Sequence, residues 1–168
     1  SSRLVRLVYE VQPDEIYHLG AQSHVRVSFD VPEYTSDVTG MGTVRLLEAI
    51  RDARVETRFY QASSSEMFGA TPPPQDEHTP FHPRSPYAAT KAGADRLAYS
   101  YFVTYGLPIA IVRPFNNYGP HQHPEKVVPR FITQALMDQP RTVHWDGHAS
   151  RDWVFVEDVA EAGDAAVE

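Results

Sequence analysis

Cysteine is absent from this sequence, which excludes disulfides, thiolate metal sites and a cysteine nucleophile. Runs of lysine or arginine are absent too, and the formal net charge is −7. Neither nucleic acid nor an anionic membrane surface is therefore an expected partner. An anionic ligand would have to be held by a few local basic residues or by backbone amides. No apolar stretch approaches the roughly 20 residues that span a bilayer. The opening SSRLVRLVYEVQPDE also lacks the apolar centre of a signal peptide, so a reduced, cytoplasmic setting is expected. What remains is ordinary for a globular domain: 168 residues, 42% hydrophobic and 22% charged, enough for one core but hardly for two.

Helix and strand signals alternate along the chain. An amphipathic helix with Leu4, Leu7, Val8 and Val11 comes first, then a turn at Pro13-Asp14 and a strand over 15–19 ending at Gly20. A loop containing Pro32 follows, then a helix over 43–53 with Val44, Leu47 and Ile50 on one face, and a second strand over 58–63. The prolines of 70–84 forbid a helix interior or a central strand and predict an ordered loop. Ser85-Pro86 reads as N-cap and first helical residue, with Gly106 as the stop. LPIAIVRPF at 107–115 has the look of a buried parallel strand. Helices are expected over 127–138 and 159–168, with a turn at Trp145-Asp146-Gly147. This alternation predicts an α/β fold with a doubly wound parallel sheet. A GxGxxG turn, which cradles a dinucleotide pyrophosphate, is missing, and the chain reads as truncated at both ends.

Two motifs carry chemistry. Tyr87-Ala88-Ala89-Thr90-Lys91 is a YxxxK motif in the first turns of a helix, where i, i+4 spacing puts both side chains on one face. An ammonium beside a phenol favours the phenolate and makes tyrosine a usable base. The same pattern also describes a tyrosine and a lysine that merely share a surface. Ser63-Ser64-Ser65-Glu66 lies at a predicted strand end, where open α/β sheets place their ligands. SxxE is also a capping box. The order serine cluster, glutamate, proline-rich loop and Tyr/Lys pair favours a site. His121 and His123 form the closest histidine pair, but no third ligand pattern lies near, so no metal is expected. Arg84, Arg113, Arg130 and Arg151 are individually expected as surface or salt-bridge residues.

LGAQSH at 19–24, SSSEMFG at 63–69, SPYAATK at 85–91 and RPFNNYGP at 113–120 resemble extended short-chain dehydrogenases/reductases acting on nucleotide sugars. Residues 15–69 are most similar to GDP-mannose 4,6-dehydratases, and residues 85–158 to dTDP-glucose 4,6-dehydratases. The resemblance implies a Rossmann-like dinucleotide-binding domain whose glycine-rich first βαβ unit is not present, with a substrate-binding region starting near 116. It implies a tightly bound, recycled NAD(P), with NAD and NADP not distinguished, and a nucleotide-sugar substrate, GDP-mannose favoured. It further implies a homo-oligomer, dimer or tetramer.

By the same resemblance Ser64, Glu66, Tyr87 and Lys91 are the catalytic residues: Tyr87 the base at the C4 hydroxyl, Glu66 the base at C5. Leu19, Gly20, Ala21, Gln22, Ser23, Ala62, Ser63, Pro114, Phe115 and Asn117 would line the cofactor with Tyr87 and Lys91. Ser64, Asn116, Lys126 and Arg151 would meet the substrate. Ser65 stands where dTDP-glucose enzymes carry an aspartate, which fits the GDP-mannose type or a decarboxylase. A 4-epimerase, a UDP-glucuronate decarboxylase and a non-catalytic dinucleotide-binding protein stay open beside the dehydratase.

Overall fold

The structure, a computed structural model, describes residues 2–141 and 150–168; the turn expected at 145–147 lies outside them. The described chain divides into two compact units, 1–114 with 163–168 and 115–162.

In the first unit, β1 (Glu15–His18), β2 (Arg58–Ala62) and β3 (Ile109–Val112) form a parallel sheet in that order. Register places Ile16, Phe59 and Ile109 in one row and Tyr17, Tyr60 and Ala110 in the next. Because side chains alternate across a strand, the two rows face opposite ways, and each face has its own cover. Ile16, Phe59, Ile109 and Ile111 pack with Val8 of α1 (Ser2–Val11), Leu47 and Ile50 of α4 (Gly42–Ala53) and Ala98 of α5 (Pro86–Tyr105). Tyr60 lies against Gly163, where an added Cβ would come within 3.0 Å of the ring. Tyr17 donates to Asp164 at 2.9 Å. Both of these partners belong to the end of α7 (Val156–Val167).

The long helix starts and stops where its local chemistry dictates. The Ser85 hydroxyl accepts the Ala88 amide at 3.0 Å, a cap worth about 1 kcal/mol. Gly106 ends the helix in the left-handed region at φ +67°. The N-terminal helix differs from expectation: Leu7 and Val11 are exposed, and the buried stripe is Leu4, Val5 and Val8. A larger difference is the stretch around Pro32, which is not a loop. It folds into α2 (Val25–Asp30), α3 (Pro32–Thr35) and a turn of π-helix (Ser36–Met41) that runs into α4. The N-cap of α2 is His24, whose ring accepts the Val27 amide, an unusual cap that composition does not advertise.

The second unit holds β4 (Asn116–Tyr118) and β5 (Trp153–Phe155), paired in parallel, and α6 (Val127–Leu136). A Cβ on Gly119 would collide with the Val156 side chain.

Candidate active site

The C-terminal ends of β1, β2 and β3 come out on one edge of the sheet, because the three strands are parallel and neighbours. Backbone bonds pin the two later exits to each other. The Ser63 amide donates to Val112 at 2.8 Å, and the Ser65 amide donates to Pro114 at 3.2 Å. Between them Ser64, extended at φ −161° and ψ 141°, caps a short 3₁₀ turn (Ser65–Phe68). Its hydroxyl accepts the Glu66 amide at 3.2 Å. The capping-box alternative of the sequence is therefore not what forms. Ser64 caps rather than Ser63, and the Glu66 side chain has no hydrogen bond or ion pair among the described residues.

Against this turn lies one face of α5. Tyr87, Lys91 and Asp95 follow at four-residue spacing and are all buried, at 9%, 4% and 0% exposure. The ammonium of Lys91 donates to the Ala62 carbonyl at 2.7 Å. Burial pulls its pKa down from 10.5 to about 8, since desolvation disfavours the charged form. Burial pushes the Tyr87 phenol up; the Ser64 side chain, hydrogen-bonding to it, pulls the other way, and the Glu66 carboxylate raises it further.

The loop after β1 is fastened from below. The Gln22 amide donates to Thr39 Oγ1 at 3.2 Å, and its side chain donates to Thr35 Oγ1 at 3.3 Å, so Gln22 braces the loop. Leu19 stands 69% exposed beside it. A Cβ on Gly20 would come within 3.3 Å of the His18 ring, a tight approach.

Sequence reasoning missed His18. Its ring lies 5.8 Å from that of Phe59, and its buried Nε2 has no hydrogen-bond partner among the described residues. Burial, with a smaller contribution from the Lys91 charge, lowers its pKa to about 4. It was discoverable as the last residue of a strand whose successors were already candidates. Asp95 and Arg113 were missed as a pair. Ser63 donates to Asp95 at 2.9 Å, so its hydroxyl is turned into the protein.

Ala21 and Ser23 lie in the loop after β1 in the first unit, and Pro114 follows β3 there; the other expected residues sit in the second unit. Asn116 and Asn117 lie on β4; the Asn117 backbone carbonyl accepts Gln122 Nε2 at 2.7 Å, while its buried side-chain oxygen has no partner among the described residues. Phe115 leads into that strand. Lys126, at the N-cap of α6, lies 3.3 Å from Glu125. Arg151 is exposed and donates to the Ser150 carbonyl. No cluster of metal-ligating side chains occurs among the described residues, and no described helix is long and apolar enough to cross a membrane.

The chain as a whole has counterparts among known proteins. The family model described as GDP-mannose 4,6 dehydratase matches residues 1–168. This chain belongs to the GDP-mannose 4,6-dehydratase family.

Within the family, GDP-mannose 4,6 dehydratase 2 of Arabidopsis thaliana is 47% identical, over 96% of this chain and 46% of its own length. The GDP-mannose 4,6-dehydratase of Yersinia enterocolitica is 53% identical over 81% of this chain and 37% of its own. The chain thus spans about half the length, or less, of the curated relatives it matches. Among solved structures, the dTDP-glucose 4,6-dehydratase of Streptomyces venezuelae with NAD and TYD bound superposes with a TM-score of 0.88. It is 38% identical, over 95% of this chain and 49% of that one. The UDP-glucose 4-epimerase of Thermotoga maritima with UDP-glucose gives 0.94 at 29% identity, over 99% and 56%. These neighbours establish the Rossmann-like fold class expected from the alternating pattern.

Proposed function

We propose that the protein carrying this chain is a nucleotide-sugar 4,6-dehydratase acting on GDP-mannose, and that this chain supplies its acid–base residues. The observation that carries the reading is the Glu66 carboxylate. It acts on the Tyr87 phenol electrostatically yet has no hydrogen bond or ion pair among the described residues. Oxidation at C4 needs only a base at the C4 hydroxyl; elimination needs a second base at C5. A carboxylate held beside the tyrosine without a structural partner is what distinguishes the two.

The residues suit the nicotinamide half of an NAD(P). Lys91 uses one of its three protons on Ala62, leaving two donors for a ribose diol, and the parallel strand ends lie where dinucleotides bind in open sheets. The dTDP-glucose 4,6-dehydratase neighbour was solved with NAD, which supports the same cofactor class here. When bound, the nicotinamide accepts a hydride and later gives it back.

To act as the base Tyr87 must ionise, which burial opposes and the Ser64 hydrogen bond favours; it then takes the C4 hydroxyl proton while hydride leaves C4, and Ser64 orients that hydroxyl. The 4-keto group acidifies C5, and Glu66 removes its proton. The C6 hydroxyl leaves as water, and hydride returns at C6. The proton count closes, since two are taken, from O4 and C5, and two are delivered, one in water and one back to C5. Leu19, Gly20, Ala21, Gln22, Ser23, Ala62, Ser63, Pro114, Phe115 and Asn117 form the cofactor walls in this reading. Asn116, Lys126 and Arg151, in a substrate-binding region from about 116, contact the nucleotide sugar.

The test is turnover by the intact protein of GDP-mannose, dTDP-glucose, UDP-glucose and UDP-glucuronate, without added reductant, read by mass spectrometry. A 4-keto-6-deoxy product from GDP-mannose is expected. Carbon dioxide release from UDP-glucuronate would overturn the dehydratase reading, and turnover of dTDP-glucose alone would overturn the sugar.

A further inference from the structure

Asp95 is a fully buried carboxylate, two helical turns beyond Tyr87 and so on the same face of α5. All of its partners come from strand exits. Ser63 Oγ donates to Oδ2 at 2.9 Å, Arg113 Nε donates to Oδ2 at 2.9 Å, and Arg113 Nη2 donates to Oδ1 at 3.1 Å. The guanidinium also lies over the Phe81 ring, 5.3 Å from its centroid. Phe81 meets Phe68 edge-on at 5.8 Å, and Phe68 ends the 3₁₀ turn that Ser64 begins. The contacts close a ring: Asp95, Ser63, the turn to Phe68, Phe81, Arg113 and back to Asp95. Ser64 and Glu66 sit inside it.

A buried ion pair of this kind is a poor device for stability alone, because desolvating both charges offsets most of their attraction. What it does supply is geometry. A bidentate fork fixes Arg113, and the third acceptor contact fixes Ser63, one residue before Ser64. We propose that Asp95 is a positioning residue: it holds the turn that presents Ser64 and Glu66 to Tyr87, and touches no reactant itself. The inference rests on the acid–base reading above for its consequence in catalysis, though not for the clamp.

The experiment takes the intact protein with Asp95→Asn, and with Ser63→Ala, which removes the Asp95 contact and a 3.3 Å contact to Met67 Sδ and leaves the Asp95–Arg113 pair. Amide hydrogen exchange of residues 63–66 is compared with that of strand residues 58–61. Both variants should exchange at least about tenfold faster over 63–66 with 58–61 unchanged. On the panel sugar that the wild type turns over, kcat should fall about 100-fold for Asp95→Asn, the cost of misplacing a group by about an ångström. KM should stay within about threefold. If Asp95→Asn does not fold, Ser63→Ala decides by the same exchange ratio and a kcat loss of about tenfold. Unchanged exchange over 63–66, acceleration of both segments together, or faster exchange with wild-type kcat would each overturn the proposal. A wild type that leaves GDP-mannose untouched would overturn the functional reading, and the exchange ratio would still judge Asp95.

Discussion

The two ends of the parallel sheet in the first unit treat charge in opposite ways. At the N-terminal ends of β1 and β2, Arg58 reaches Glu15 at 2.6 Å with side chains 42% and 29% exposed, and Tyr17 bonds Glu15 and Asp164 in the open. A cavity of about 320 Å³ beside them is lined by Arg58, Phe59, Phe102, Pro108, Val167 and Glu168. At the C-terminal ends, Lys91 and Asp95 are buried and each contact has one geometry. An ion pair in water is worth little, while a buried group cannot shed its charge into solvent and so has its protonation set by its neighbours. Length alone does not tell the two apart: the shorter bond is at the end we expect to matter less.

Substitutions across the two ends sharpen that contrast, beginning with the largest effect. Tyr87→Phe should abolish accumulation of enzyme-bound NAD(P)H in a single turnover, with kcat down about 10⁴-fold, the upper range for a positioned base. Rapid-mixing absorbance would detect any residual oxidation. Glu66→Gln should leave C4 oxidation intact while elimination slows about 10³-fold, and C5 exchange with deuterated solvent should fall in parallel. Wild-type elimination in this variant would move the reading to a 4-epimerase.

The pH dependence follows from burial. Lys91 titrates at about 8 rather than 10.5, so its ammonium, and with it kcat/KM, should be lost as pH rises through about 8. A pH–rate profile that stays flat to pH 10 would mean that the lysine regains solvent in the working enzyme. His18 works on stability instead. Its folded value near 4 lies below the ordinary 6.5, so the unfolded chain binds the proton first and stability falls as pH drops from 6.5 toward 4. Because solvent screens the partly exposed ring, thermal unfolding should lose about 1 kcal/mol between pH 7 and pH 5, and His18→Gln should flatten that loss. The smallest effect belongs to the opposite end of the sheet. Glu15→Gln should change unfolding free energy by less than about 1 kcal/mol and leave turnover unaltered.

How much of this was legible beforehand depends on the range of the interactions. The start of α5 at Ser85-Pro86 and its end at Gly106 are local, and both were readable. So were the strand ends carrying Leu19 and Ser64, because a parallel sheet announces where its ligands go. The helices over 25–41 were not, since a histidine cap and a four-residue helix leave no periodic stripe. Three-residue β4 and β5 are likewise too short for a pattern. Asp95 and Arg113 are 18 residues apart and meet only through the fold. One clue was present: Asp95 repeats the four-residue step from Tyr87 to Lys91. The resemblance already gave Ser63 and Ser64 different roles, but which hydroxyl caps the turn and which faces Asp95 is visible only in the structure.

The π-helical turn at Ser36–Met41 bears on which length changes the chain can absorb. It holds one residue more than a regular helix needs, and Gly40 there lets the Thr90 methyl approach to 3.0 Å of where a Cβ would be. Deleting one residue from this stretch would repair the local hydrogen bonding into ordinary α-helix. The gain would be deceptive, because each residue advances a helix by about 100°. All of α4 would turn by that angle, carrying Leu47 and Ile50 out of the core. The extra residue works as a phase-setting shim between α3 and α4. Insertions and deletions should be accepted over 72–79, short of the Phe81 and His82 contacts, and refused over 36–41, although a deletion there would leave a more regular helix.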